Sequence, residues 1–155
     1  MRYRQAIALL ALIGLFVALY LWLHALGYGG PLKCGTGGCD TVQASQYAVL
    51  LGIPVAFYGV VGYLGVLIVS LIALRPAALQ DRRWTVLLVM LSTVGFLFTV
   101  YLTYLELFVI HAICRWCVGS AVIITAIWIV SLFSLKSPAT RTDPGASRPR
   151  PDQPA

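Results

Sequence analysis

Four stretches of the chain, Ala6 to Leu26, Val55 to Leu74, Trp84 to Ile110 and Cys114 to Leu135, are almost wholly apolar. Each is close to the length of helix that crosses a hydrocarbon core, about 20 residues for about 30 Å. They predict four transmembrane helices. Between the first two lies a cap segment, 27–54, of different grain. Gly27, Gly29, Gly30 and Pro31 end the first run, and Gly35, Gly37 and Gly38 lie between Cys34 and Cys39. Asp40 then reads as the N-cap of a short helix from Thr41 to about Leu51. Its Val42, Tyr47, Val49, Leu50 and Leu51 offer apolar surface and its Gln43, Ser45 and Gln46 are polar, the pattern of an amphipathic helix on a membrane surface. Gly52 and Pro54 break it before the second span. The expected fold class is all-α, a single four-helix membrane domain over 1–135 capped by a loop and a surface helix. From Lys136 to Ala155 the chain turns to Pro, Ser, Thr and Arg without apolar periodicity, and a disordered tail is expected there.

Composition agrees with a membrane location: 60% of the residues are hydrophobic, 10% are charged and the mean hydropathy is +0.89. The net charge of +6 would ordinarily raise nucleic acid or anionic lipid as a partner, but its distribution gives it another meaning. Arg2, Arg4, Arg75, Arg82, Arg83, Lys136, Arg141, Arg148 and Arg150 fall on one side of the four spans, and only Lys33 and Arg115 on the other. By the positive-inside rule both termini are cytoplasmic, in a plasma (inner) membrane, and no nucleic-acid partner is expected. The first run is longer than a signal-peptide core and lacks a small-x-small cleavage site, so it is expected to stay as a helix.

In this topology all four cysteines, Cys34, Cys39, Cys114 and Cys117, are extracytoplasmic, where disulfides form and persist. Cys114-Arg115-Trp116-Cys117 opens the last span, so its two thiols share one face of the first helical turn and feel the positive end of the helix dipole. Cys34 and Cys39 sit in a glycine-softened loop that permits the close approach a disulfide needs and leaves the pair mobile. Two vicinal pairs on one side of a membrane can pass a disulfide between them through a mixed disulfide. No flavin, haem or nicotinamide motif is present, so the acceptor is expected to be a redox molecule dissolved in lipid. A quinone of ubiquinone or menaquinone type meets that need, its ring near Cys117 and among aromatic side chains such as Tyr58, Tyr101 and Tyr104. Glu106, one turn from the outer end of the third span, is a candidate proton relay; the plain alternative is a carboxylate that reaches the interface or pairs with Arg115 or Lys33. Gly59, Gly62 and Gly65 read as helix-packing positions, and His24 and His111 as interfacial polar tips. Two other readings of the cysteines stay open: a zinc site held by all four thiolates, and a tetraspan scaffold with static disulfides, against which stands the little chain entropy that a bridge across one helical turn removes.

Cys34 with Cys39, then Ser45, then Leu51-Gly52-Ile53-Pro54-Val55, and Cys114-Arg115-Trp116-Cys117 at the head of the fourth span resemble the vitamin K epoxide reductase family, its bacterial members in particular. The resemblance covers roughly 7–135. It implies a four-helix bundle with a quinone near its outer ends. Cys34 and Cys39 would be the shuttle pair, Cys39 the partner of Cys114, Cys117 the thiol beside the quinone, and Ser45 a hydroxyl of the cap. It further implies oxidation of a thioredoxin-like protein, hence disulfide formation in secreted proteins. No thioredoxin-like domain is fused here, so that partner is expected to be a separate protein. Asn is absent, and Ala121 stands one turn after Cys117 where the animal enzymes have Tyr, so their quinone hydrogen bonds cannot be copied. The other bacterial four-helix thiol-oxidase family has the reverse cysteine order and fits less well.

Overall fold

The computed structural model describes residues 2–28, 38–75 and 81–136. Lys33, Cys34 and the segment 137–155, on which a mobile loop and a disordered tail were expected, lie outside the described residues. In chain order the elements are α1 (Arg2–Ala25), α2 (Gly38–Gln43), β1 (Val49–Leu50), β2 (Ile53–Pro54), α3 (Val55–Ala73), α4 (Arg82–Leu105) and α5 (Arg115–Lys136). α1, α3, α4 and α5 are each long and apolar enough to cross a membrane, and the chain is an all-α tetraspan bundle.

The four long helices form a ring in the order α1, α3, α4, α5, and the α3–α4 contact is the least extensive of the four. Lipid offers no hydrophobic drive for helix association, so small residues that admit close packing hold such a bundle together. The central core shows this: Ala11, Ala18 and Ala73 stand among Ile7, Tyr63, Val66, Leu88, Ile124 and Ile127. The Tyr63 ring lies directly on Gly14 of α1, where a Cβ would come within 2.2 Å of it. At the end of the bundle away from the cysteines, the Arg4 guanidinium donates to the Ala73 carbonyl and, at 3.1 Å, to Thr85 Oγ1, joining α1 to α3 and α4. α1 stops where Gly27 takes φ 83° and the Tyr28 N–H reaches back to the Leu23 carbonyl at 3.1 Å. α4 starts at Asp81, whose carboxylate caps the Arg83 N–H at 3.0 Å.

The cap departs from the amphipathic helix expected over Thr41–Leu51. Helix α2 runs only from Gly38 to Gln43, with Asp40 inside its first turn rather than capping it. Ser45 ends the helical path: its N–H and its hydroxyl both return to the Val42 carbonyl, at 3.2 and 2.7 Å. A single 3-10 turn, Gln46–Ala48, leads into β1, which pairs antiparallel with β2 in the register Val49 with Pro54 and Leu50 with Ile53. The apolar residues from Val49 to Leu51 are consecutive, which suits a strand better than one face of a helix. Leu51 and Gly52 both take positive φ, 55° and 80°, as a tight hairpin turn requires. Tyr58 Oη donates to the Leu50 carbonyl at 3.1 Å and ties the hairpin to α3.

The third span does not end as a plain α-helix. Glu106–Ile110 form a π turn closed by His111 in the left-handed region, φ 55°, whose N–H bonds the Glu106 carbonyl. The wider turn swings the Glu106 side chain inward, and four residues later the chain enters α5.

Candidate thiol site and cavity

The CxxC segment straddles the start of α5. The helix begins at Arg115, so Cys114 takes the N-cap position one residue earlier, and its Sγ accepts the Cys117 N–H at 3.4 Å. A sulfur thus does what a Ser or Asp oxygen ordinarily does at an N-cap. Cys114 is completely buried, Cys117 partly so, and both are free thiols. The Cys114 thiol titrates below the usual thiol range. The main cause is the hydrogen bond from the Cys117 side chain, aided by the N–H groups of Cys117 and Trp116; burial and the nearby Glu106 charge oppose it.

Glu106 holds this turn from outside the helix. Its Oε2 accepts the Cys114 N–H at 3.3 Å, and its carboxyl also hydrogen-bonds the Cys117 thiol. Only 6% of Glu106 is exposed. Its partner is therefore the dithiol turn, not the ion pair with Arg115 considered from sequence; Arg115 is exposed.

Cys39 reaches the same place from the cap. It is fully buried and disulfide-bonded, and it packs in one small core with Leu21, Val42 and Cys114, flanked by Ala56, Ile110, Ala112 and Cys117. The contact is set by Gly38. A Cβ on that residue would lie 2.5 Å from the Ile113 carbonyl oxygen, so α2 sits against the backbone just before Cys114 only because Gly38 has no side chain.

Below the thiols, lined by all four long helices, is a cavity of about 170 Å³. An apolar cavity of about 150 Å³ holds a benzene ring. Its walls are largely apolar, from Leu21, Val66, Leu91, Phe98 and Ile124, and it is roofed by Gln43, Ser45, Tyr47 and Ala48 of the cap. Cys117, Glu106, Tyr58, Tyr63 and Ser120 also line it and supply its few polar groups, a lining suited to a flat, apolar ring bearing oxygen atoms. Tyr101 and Tyr104 do not join it. Both are half-exposed on the outer side of α4; Tyr104 stacks on Phe108 with ring centroids 5.0 Å apart, and Tyr101 borders a smaller hollow against the hairpin. Apart from Leu105, the residues of the third span that face the cavity are Leu91, Gly95, Phe98, Thr99, Leu102, Thr103 and Glu106. They follow the three-and-four spacing counted back from Glu106, a signal present in the sequence that separates them from the two tyrosines.

Fold and site together define a multi-pass membrane oxidoreductase with cysteines gathered at one end of a four-helix bundle. The model of the Vitamin K epoxide reductase family matches residues 5–132, and the chain belongs to that family.

Proposed function

We propose that the protein is a quinone-linked thiol oxidase that takes electrons from a separate thioredoxin-like protein outside the cytoplasm and so drives disulfide formation. The observation that carries this reading is the shared buried core in which disulfide-bonded Cys39 meets free Cys114, at the roof of a cavity lined by Cys117 and Glu106. A disulfide beside two free thiols is an arrangement for exchange rather than for a cage of four thiolates around a metal.

In the proposed sequence the partner reduces the Cys34–Cys39 disulfide and leaves with its own two thiols joined. The Cys39 thiolate attacks Cys114 in a Cys114–Cys117 disulfide, forming the Cys39–Cys114 bond and releasing Cys117 as thiolate. Cys34 then attacks Cys39, the loop disulfide returns, and Cys114 is freed. Two electrons and two protons have moved from the loop pair to the helix pair. A bound quinone supplies the acceptor for both electrons and both protons when the helix pair closes again. Glu106, hydrogen-bonded to Cys117, holds the proton that leaves that thiol. The test is direct: purified protein, a reduced thioredoxin-like substrate and a short-chain ubiquinone should yield substrate disulfide and quinol in equal amounts. If neither product forms, the reading is wrong.

The orientation rests on the distribution of Lys and Arg. A cysteine introduced at the exposed His111 should react with a membrane-impermeant maleimide from outside the cell, and one at Arg75 should not; the opposite pattern would invert the topology.

Gly38→Val tests the internal transfer. The added side chain must displace either α2 or the 111–114 segment, which separates Cys39 from Cys114. A misplacement of about 1 Å between reacting groups costs about 100-fold in rate. Partner-driven turnover should fall by about that factor while quinone reduction driven by dithiothreitol persists. Equal loss in both assays would show that Gly38 serves the fold alone.

A further inference from the structure

Resting on the quinone reading above, we propose that the hydroxyls of Tyr63 and Ser120 act together as a hydrogen-bonding anchor for a quinone carbonyl oxygen, on the far side of Cys117 from Glu106.

Ser120 lies three residues after Cys117 on α5, so the two side chains share a helix face with about 5–6 Å between their Cβ atoms. Both line the cavity, as does Tyr63. The Tyr63 hydroxyl donates to the Ser120 carbonyl at 2.9 Å and lies 2.9 Å from Ser120 Oγ. α3 and α5 are not neighbours in the ring, so this contact crosses the bundle interior. It is possible because α1 presents Gly14 under the Tyr63 ring. A phenylalanine would fill the same space without burying a hydroxyl, and a hydroxyl within a bundle is costly unless it is paired.

The pairing can release a donor. The Tyr63 hydroxyl donating to the Ser120 carbonyl is enough to keep the two residues joined. The Ser120 hydroxyl proton can therefore turn from the Tyr63 oxygen toward a ligand oxygen. A carbonyl oxygen that takes on charge during reduction is the acceptor such a donor favours most. The cavity then has a polar group on each side of Cys117: the Glu106 carboxyl near the helix start and a neutral hydroxyl pair one turn deeper. That spacing along α5 selects a ring with oxygens at opposite ends, a para-quinone.

The experiment measures binding as well as turnover in the full-length protein, using a short-chain ubiquinone and quenching of tryptophan fluorescence. Tyr63→Phe and Ser120→Ala should each weaken binding about five- to tenfold, the effect of losing one hydrogen bond. The double variant should lose little more than either single one, because the hydroxyls act as a unit. Ser120→Thr, which keeps the hydroxyl, should stay within about twofold of the unaltered protein, and reduction of the cysteines by dithiothreitol should not change in any variant. Unchanged binding in both single variants, or equal loss in Ser120→Thr and Ser120→Ala, would overturn the anchor. If Tyr63→Phe fails to fold, the two Ser120 variants decide. Failure of the unaltered protein to bind or reduce the quinone would instead overturn the oxidase reading, and the anchor with it.

Discussion

Cys117→Ser should abolish quinone reduction and cause the protein to capture its own loop. With no second thiol in the helix pair, Cys114 cannot close a disulfide across the first turn, and the cavity loses its only sulfur among the described lining residues. Cys114 keeps its place in the buried core with disulfide-bonded Cys39. Attack on Cys39 forms a Cys39–Cys114 bond and frees the other sulfur of the loop bridge; with Cys117 gone only that freed sulfur can reverse the step, so alkylating it traps the bond. Peptide mapping under non-reducing conditions should find that cross-link, and turnover should fall to background. Persistent quinone reduction in this variant would remove Cys117 from the reaction.

The same position tests the electrostatics of Cys114. Hydrogen bonding from the Cys117 side chain is the main reason its thiol titrates low. Alanine removes that donor whereas serine retains one, so the Cys114 titration should move up toward the ordinary thiol value in Cys117→Ala. At neutral pH less of it would then be thiolate, and self-capture should be slower in the alanine variant than in the serine variant. The difference should vanish as pH rises above the ordinary thiol range, where both are ionised. For folding the sign follows from a lowered acid pKa. The ionised Cys114 contributes stability above the unfolded thiol pKa, and that contribution is lost as pH falls through the folded one.

The bundle was legible because four apolar runs of membrane length leave the backbone few alternatives to a helix. The cap was not. Its apolar residues are few and consecutive, a pattern compatible with a helix, a strand or a turn, and the Ser45 hydroxyl returning to Val42 chose among them. Cys114 as N-cap rather than first-turn residue is a one-residue difference that no periodicity resolves. It matters because it converts the Cys114 sulfur into an acceptor for Cys117 N–H. The Glu106 contact with the Cys114 N–H was equally hidden, since it depends on a π turn that has no sequence signature of its own. The Tyr63–Ser120 pair is separated by 57 positions, and only the folded ring of helices brings it together.

Glu106→Gln should leave the folded site in place and slow quinone-dependent reoxidation of the helix pair about 1,000-fold, within the range that general acid–base groups contribute. The substitution is chosen for its geometry. A glutamine oxygen still accepts the Cys114 N–H now bonded to Oε2, so the start of α5 keeps its outside cap. What glutamine cannot do is take up the proton of the Cys117 thiol to which the carboxyl is hydrogen-bonded. The proton must then leave through a cavity with largely apolar walls. Transfer from the loop to the helix pair needs no proton acceptor on that side, so stopped-flow reduction by the thiol partner should stay within about threefold of normal. Thermal stability should change by less than about 1 kcal/mol, since the main-chain contact survives. Glu106→Asp restores an acid but withdraws it by one methylene, and it should recover part of the rate if proton transfer is the function. A carboxylate needed only to hold the turn predicts the reverse order: glutamine near normal and aspartate impaired.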